Sequence, residues 1–504
     1  MKPRLRLLSE EMIGRILEEA FHLLETRGIN LHHEGLLGRL AELGCRTDKA
    51  RQWVWMPREL VERCIRSCPH EVKLWNIAGT RCCELSGDKV HFTPGSTAIK
   101  VLDYPSGRMR AATLADMVSY GKLVEQLDAI DCSATAITPS DVPKEIGDSI
   151  RLYALLKTTS KPICTGAFSV EGFDVMTELQ LAVRGSREAL RARPFAFFSA
   201  CPTSPFKWSR TTADNTLKAA ELGVPVEFIA MPLAGLVAPI SVLGCVVQHT
   251  VETLSGIVIS QISAPGAPIL YGGSPGVFDM RSMAASICAV EAQMMDCAYA
   301  EVGKHLGLPT QAYIGMSDSK ALDAQAGFES GTGYYLAALA GINSVSGPGM
   351  HYFESCQSPE KTVFDAELCR LARRLAAGID GNRESGESGE CRPACPDSPD
   401  SLDSRFDPLF DELLREQNLL TAEDTLRHFR AEHCIPGPLI DRTQEAGGVR
   451  SGGPTAPSAL WERAHAEVER RLAAYRPPEV LSREQLRDTG SVMRSVARGF
   501  PLGF

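Results

Sequence analysis

The residue types able to do chemistry gather where short apolar runs of the chain end. Glu227 stands inside the strand-like run PVEFIAMP. A charged carboxylate in such a run is costly unless it is paired or serves a ligand. Glu227 therefore reads either as half of a structural salt bridge or as the counter-charge for a bound cation. Rings recur at comparable positions: Phe92, Phe168, Phe198, Phe228, Tyr271 and Tyr313 near run ends, with Tyr352 past the last run. Aromatic faces hold ammonium groups by cation–π contact, although bulky rings at such positions also serve simply as core. His351, in GPGMHYFES, suits a proton donor or a contact to a docked group, and equally a satisfied histidine with no chemical part. Asp279, Asp318, Asp323 and Glu354 lie in or just after the same loops, and helix N-caps explain Asp318 and Asp323 equally well.

The loops themselves are rich in small residues. ILYGGSPGVFDMRS, at 269–282, sets Gly272, Gly273, Ser274 and Gly276 between an apolar run and a helix-like stretch. A phosphate cradle needs G-x-G-x-x-G or a G-K-[ST] ending, and this loop has neither. Gly347 and Gly349 form a similar loop near the last run. Such loops hold a mouth open and let a bulky group approach the backbone closely, so these positions are candidates for contact with a cofactor. The chain has no HExxH, no G-x-S-x-G elbow and no Walker loop, which argues against hydrolase and nucleotide chemistry.

The elements that must position these residues alternate regularly. From about residue 88, short apolar runs are each followed by an amphipathic stretch of a dozen residues or more, beginning with VHFTPGSTA and LADMVSYGKLVEQL. The last pair is INSVSGPGMHY with KTVFDAELCRLARRLAAG. Eight such units predict an α/β chain folded as a (β/α)8 TIM barrel, whose active site lies at the C-terminal ends of the strands. The expected organisation is an N-terminal helical cap over 1–87, the barrel over 88–380, a flexible insertion over 381–404 and a C-terminal helical extension over 405–504. The insertion is rich in Gly, Ser, Pro and acid. The amphipathic C-terminal helices suit packing on the barrel or a homo-oligomer contact.

The formal net charge of −9 argues against nucleic acid or an anionic membrane surface as the main partner. The 16 cysteines are scattered, several within apolar runs, which suits reduced thiols in a cytoplasmic protein. Close spacings such as Cys82-Cys83 lack the second pair or the histidines that zinc needs, so no metal site is expected. MKPRLRLLSEEM turns acidic before a hydrophobic region can form, and no signal peptide is expected. The apolar stretch 241–261 contains Gln248, His249, Glu252 and Ser255, which predicts a buried helix instead of a membrane span.

Taken together, HFTPGSTAIKVLD, YGGSPGVFDMR, SDSKALDAQAGFES, SGPGMHYFES and TLRHFRAEHCIPGPLIDR resemble the trimethylamine:corrinoid methyltransferase family over roughly residues 5–490. The resemblance implies a barrel enzyme that moves a methyl group from a methylated amine to the cobalt(I) of a corrinoid. A separate corrinoid protein would carry that cobalamin-type cofactor, because this chain lacks a D-x-H-x-x-G pattern, and none is expected to be tightly bound here. Some resembling members use pyrrolysine, and every letter here is a standard amino acid. That shifts the implied substrate toward a quaternary amine such as glycine betaine. A quaternary ammonium already has a neutral amine as leaving group, so the protein must mainly position it and exclude water. On this reading Glu227, His351 and Asp318 are the catalytic candidates, and Phe198, Phe228, Tyr271, Tyr313 and Tyr352 surround the substrate. A barrel lyase or isomerase acting on a small metabolite, and a non-catalytic methylamine-binding protein, are the alternatives.

Overall fold

Short runs dominated by apolar and small residues form eight parallel strands, each followed by a helix. The strands are β1 (His91–Thr93), β2 (Ser133–Ala134), β3 (Ile163–Thr165), β4 (Ala196–Ala200), β5 (Val226–Ala230), β6 (Ile269–Gly273), β7 (Gln311–Ala312) and β8 (Ser344–Ser346). The helices are α1 (Leu114–Glu125), α2 (Gly147–Thr158), α3 (Val170–Arg184), α4 (Arg210–Leu222), α5 (Val242–Ser263), α6 (Val290–His305), α7 (Ala324–Ala340) and α8 (Pro359–Ala376). The computed structural model describes residues 3–95, 97–379, 407–442 and 459–503, so the stretch 381–404 read above as an insertion lies outside the described residues.

The fold is α/β. Strands β2 to β6 pair in parallel in chain order, and β7, β8 and β1 form a second parallel sheet. Backbone bonds also run between the two sheets. Tyr271 N–H donates to the Pro309 carbonyl at 2.8 Å and Tyr313 N–H to Gly273 at 3.1 Å, while Asp131 N–H donates to Phe92 at 2.8 Å.

Much of the small, polar character of the loops is helix capping. Thr113, Ser169, Ser209, Ser241, Asp323 and Ser358 each accept a backbone N–H at the start of the helix that follows. The capping alternative for Asp323 is therefore the one the structure realises.

The outer faces of the strands pack on the helices. Phe92 meets Tyr334 of α7 edge-on at 5.7 Å, and Phe198 meets Phe173 of α3 at 4.7 Å. The polar residues of α5 are absorbed by the same packing. Trp208 Nε1 donates to Ser255 at 2.8 Å, and Glu252 accepts from Ser204 Oγ at 2.8 Å and from Phe206 N–H at 3.1 Å. Among the described residues α5 is the one helix long and apolar enough to cross a membrane, and most of it is buried inside the fold.

The segment before residue 88, expected to be helical, has helices at Glu10–Thr26, Glu34–Glu42 and Arg58–Ser67. It also carries short strands that an all-helical cap does not include. Two of them, Val72–Trp75 and Cys82–Leu85, form an antiparallel hairpin beneath the N-terminal ends of the main strands. Val72 and Leu85 face each other on it and pack on Leu270 of β6 as a small cluster separate from the main core. After residue 405, Ala459–Ala474 and Arg483–Val496 are amphipathic helices as expected. His465 stacks on Tyr104 at 3.7 Å and bonds Glu360 at 2.9 Å, which ties the first of these helices to the body of the fold.

Leu270→Ala removes the side chain that meets the hairpin. It should lower unfolding stability by about 2–5 kcal/mol, the usual cost of emptying a buried leucine site. Chemical denaturation checks this, and an unchanged midpoint would mean that the hairpin does not seat on β6.

Candidate functional site

Strand alternation decides what each residue of PVEFIAMP faces. Phe228 points outward, lying edge-on to Trp208 at 6.0 Å and against Gly256 of α5. Glu227, its neighbour, points inward and is fully buried. Its Oε1 accepts from Ser199 Oγ at 2.6 Å and from the Cys164 thiol at 3.5 Å, while Oε2 has no hydrogen-bond partner. Burial pushes this carboxyl up to about 7 against the pull of those two donors. Among the described residues no cationic side chain pairs with it, so the salt-bridge reading of Glu227 is not realised there.

Two further carboxyls belong to the same region. Tyr352, Phe353 and Glu354 have successive φ values of 45°, 60° and 57°, a left-handed run that L side chains adopt only under constraint. The loop is held by Tyr352 N–H on the Ser319 carbonyl at 3.2 Å and by Ser355 N–H on Tyr352 at 3.0 Å. The turn brings Glu354 to Ser274, whose Oγ donates to it at 3.0 Å, and burial raises the Glu354 carboxyl to about 7. Asp296, in α6, is fully buried and its carboxyl is raised, first by burial and further by the charge of Glu354. The Tyr299 hydroxyl, which pulls this carboxyl down, also bonds the Gly273 and Gln311 carbonyls at 3.0 Å each.

Cys201, just past β4, feels both Glu227 and Glu354. Burial first, and then those charges, raise its thiol to about 12. The residue is nevertheless exposed to solvent, and from this we read a recess open at the C-terminal ends of the strands beside these groups. We assign its apolar wall to a cluster apart from the main core, in which Ile229, two residues from Glu227 on the same strand face, is buried with Ile287, Tyr313, Met316 and Met350, and Phe353, beside Glu354, packs against them.

The other predicted positions divide clearly. Of the five rings named as substrate-binding, Tyr313 belongs to this wall. Phe198 and Phe228 face helices. Tyr271 does too, its hydroxyl bonding Thr250 of α5 at 3.0 Å. Tyr352 lies between Lys100 and Lys320, whose amines stand 5.6 and 5.1 Å from its ring. His351 is fully buried, bonds the Ser319 carbonyl through Nδ1 at 3.1 Å, and leaves Nε2 without a partner. Burial and the nearby Lys361 hold it well below the ordinary histidine range, so it is neutral and donates through Nδ1. Asp318 accepts from Ser286 Oγ and is raised by burial, while Asp279 pairs with Arg281 at the surface.

The glycines named as cofactor-binding are closed by packing. A Cβ at Gly272 or Gly273 would strike Gln311 or His249, one at Gly276 would strike Leu233, and one at Gly347 would strike the Ile314 carbonyl. Gly349 has φ 87° and donates its N–H to Asp365 at 2.7 Å. Ser274 alone of that group reaches the recess, through Glu354. Asp296 and Cys201 were not foreseen. Asp296 carried a signal of the same kind as Glu227, an acid set between apolar neighbours in EAQMMDCAYAEV.

A sequence model of the trimethylamine methyltransferase family matches residues 1–395. A trimethylamine methyltransferase of Desulfitobacterium hafniense is 28% identical over 377 residues, covering 75% of this chain and 76% of that protein. One from Methanosarcina thermophila is 27% identical over 392 residues, covering 76% and 80%. A glycine betaine methyltransferase of Desulfitobacterium hafniense is 26% identical over 478 residues and covers 94% of both chains. Among solved structures, the monomethylamine methyltransferase of Methanosarcina barkeri aligns with TM-score 0.50 and 10% identity, covering 94% of this chain and 88% of that one, a likeness of fold.

Glu227 has a pKa of about 7 in the fold against an ordinary 4.5, so its protonation favours folding. That contribution is fully present below pH 4.5 and is lost as pH rises through 7. Its size is on the order of 3 kcal/mol. Glu227→Gln, which cannot ionise, should raise Tm relative to the wild type at pH 8 and change it little at pH 5. Thermal melts at the two pH values check this, and equal destabilisation at both would make the carboxyl a structural hydrogen-bond partner.

Proposed function

The chain belongs to the trimethylamine methyltransferase family, and from that premise we propose that it moves a methyl group from a quaternary or tertiary methylamine to the cobalt(I) of a corrinoid carried by a separate protein. The single observation that carries this reading is a set of acids: Glu227 and Asp296, fully buried, and Glu354, half-buried, all have raised pKa and stand with Tyr313 and Phe353, and among the described residues no cationic side chain pairs with them. Such a set is unstable alone and is completed by an ammonium ion. The relative that spans nearly the whole of this chain is a glycine betaine methyltransferase, which favours a betaine-like quaternary substrate.

We also read the two parallel sheets as one closed (β/α)8 barrel. The Tyr271 to Pro309 and Asp131 to Phe92 backbone bonds, which join the sheets at both edges, support this. The carboxylates then hold the cation on the barrel axis with the N–CH3 bond directed toward the mouth. For a quaternary amine no proton is needed at nitrogen. A neutral tertiary amine would need one to leave as an amine, and Glu227, at about 7, is suited to deliver it.

The acceptor's cobalt supplies the nucleophile when its protein docks. The loops at the C-terminal ends of the strands expose Phe168, Met231, Leu236, Ile240, Met280 and Met283. Apolar exposure of this kind at a site entrance marks a surface that another molecule covers. These side chains, and not the packed glycines, are the ones that would receive the corrinoid protein and keep water from the methyl group.

Because the cation binds the ionised carboxyls, affinity for glycine betaine or tetramethylammonium should rise between pH 6 and pH 8. In Glu227→Gln the rise should shrink and binding at pH 8 should weaken at least tenfold. Calorimetry measures both. Cobalt(I) absorbance should fall when enzyme, reduced corrinoid and the methylated amine are mixed, and fall more slowly with the variant. A lyase or a mere binding protein would leave the absorbance unchanged.

A further inference from the structure

The reactive groups that methyl transfer does not use gather at the opposite end of the strands, beneath the hairpin Val72–Trp75 and Cys82–Leu85. Cys83 pairs with Leu74 across this hairpin and so shares the inner face with Val72 and Leu85. It is half-buried, whereas Cys132, just before β2, is fully enclosed. Cys132 is the neighbour that acts most strongly on the Cys83 thiol, and His91, which reaches Glu84 beside Cys83 and Asp131 beside Cys132, brings the two segments together. His91, at the start of β1, stands against Cys83 as well, with Nδ1 3.6 Å from Asp131 Oδ1 and Nε2 on the Glu84 carbonyl at 3.1 Å. Asp131 is fixed in turn by Phe92 N–H at 2.7 Å and by an ion pair with Arg373.

The electrostatics follow from that arrangement. Burial opposes charge on His91, yet Asp131 and Cys83 push its imidazole up to about 10. The influence of Cys132 outweighs burial at Cys83 and, with His91 helping and Asp131 opposing, brings that thiol down to about 6. Cys132 is held well above its ordinary value, so it keeps its proton. Cys82, the neighbour in sequence, is raised by burial and by Glu84. Elsewhere among the described residues the thiols with a resolved shift also lie high, including Cys164 beside Glu227 and Cys201 in the recess.

We propose that Cys83 and Cys132 are an oxidisable thiol pair, with Cys83 the sulfur that attacks a peroxide and Cys132 the sulfur that closes the disulfide. In the first step the Cys83 thiolate attacks one oxygen of hydrogen peroxide and the O–O bond breaks. Sulfur is oxidised to the sulfenic acid, and the departing hydroxide takes a proton from solvent as water. In the second, the Cys132 sulfur displaces hydroxide from the sulfenic acid. The S–S bond forms, and the Cys132 proton leaves with that hydroxide as a second water. The product staples the hairpin to the start of β2, at the end of the fold away from the carboxylate recess.

The test uses the full reduced chain. Iodoacetamide alkylation of Cys83, followed by peptide mass spectrometry across pH, should show a midpoint near 6, well below that of Cys82. Hydrogen peroxide followed by thiol blocking should yield a Cys83 to Cys132 cross-linked peptide lacking two hydrogens, with Cys82 still free to be blocked. In Cys132→Ser the reaction should stop at a Cys83 sulfenic acid that dimedone traps, and His91→Gln should move the alkylation midpoint upward. An alkylation midpoint for Cys83 in the ordinary thiol range, or peroxide-treated wild type in which Cys83 stays reduced or links to Cys82, would overturn the proposal without recourse to any variant.

Discussion

An uncompensated buried acid is the constraint on which the rest of this structure turns. Glu227 sits on the inner face of a strand with one oxygen bonded and the other bare. Such an arrangement lowers stability at neutral pH, and the fold tolerates it because burial elsewhere is extensive. The outer face of the same strands supplies much of that burial: Phe92, Phe198, Phe228 and Tyr271 all pack into helices. Strand periodicity thus separates two tasks at the resolution of single residues. Odd and even positions of one five-residue strand hold the fold together and hold the charge.

The left-handed run at Tyr352, Phe353 and Glu354 belongs to the same logic. Backbone conformations of this sort are unfavourable for L residues and persist where surrounding contacts impose them. Here the run swings Glu354 onto Ser274 and places Phe353 against the apolar wall around Tyr313. The loop therefore carries both kinds of group that an ammonium ion requires, a carboxylate and a ring, on adjacent residues.

What the sequence disclosed and what it hid follow from the range of the signal. The alternation of short runs with amphipathic stretches is local, and all eight strand and helix pairs appear where it predicts them. Glu227 was legible because a lone charge in an apolar strand is anomalous on its own terms. The rings were ambiguous because a strand end does not reveal which way a side chain points. One residue of register turns Tyr271 toward α5, whereas Tyr313 enters the wall of the recess. The glycine loops misled for a related reason. Small residues serve close packing as well as ligand approach, and here Gly272, Gly273 and Gly347 meet Gln311, His249 and Ile314. Asp296 and Cys201 join the site only through contacts between segments far apart in sequence.

A site for methyl transfer from an onium centre must also avoid holding its substrate too well. The positive charge is greatest in the bound ammonium and declines as the methyl group departs, so each fully charged carboxylate stabilises the ground state more than the transition state. Acids with pKa values near 7 relax this conflict. On the proposed reading they would ionise when the cation enters, because its field lowers their pKa, and regain a proton as the neutral amine leaves. Raised pKa values that cost the empty protein stability would thus keep the charge of the proposed site matched to that of its occupant on either side of the reaction. Fixed ion pairs, such as Asp131 with Arg373 at the other end of the strands, could not make that adjustment.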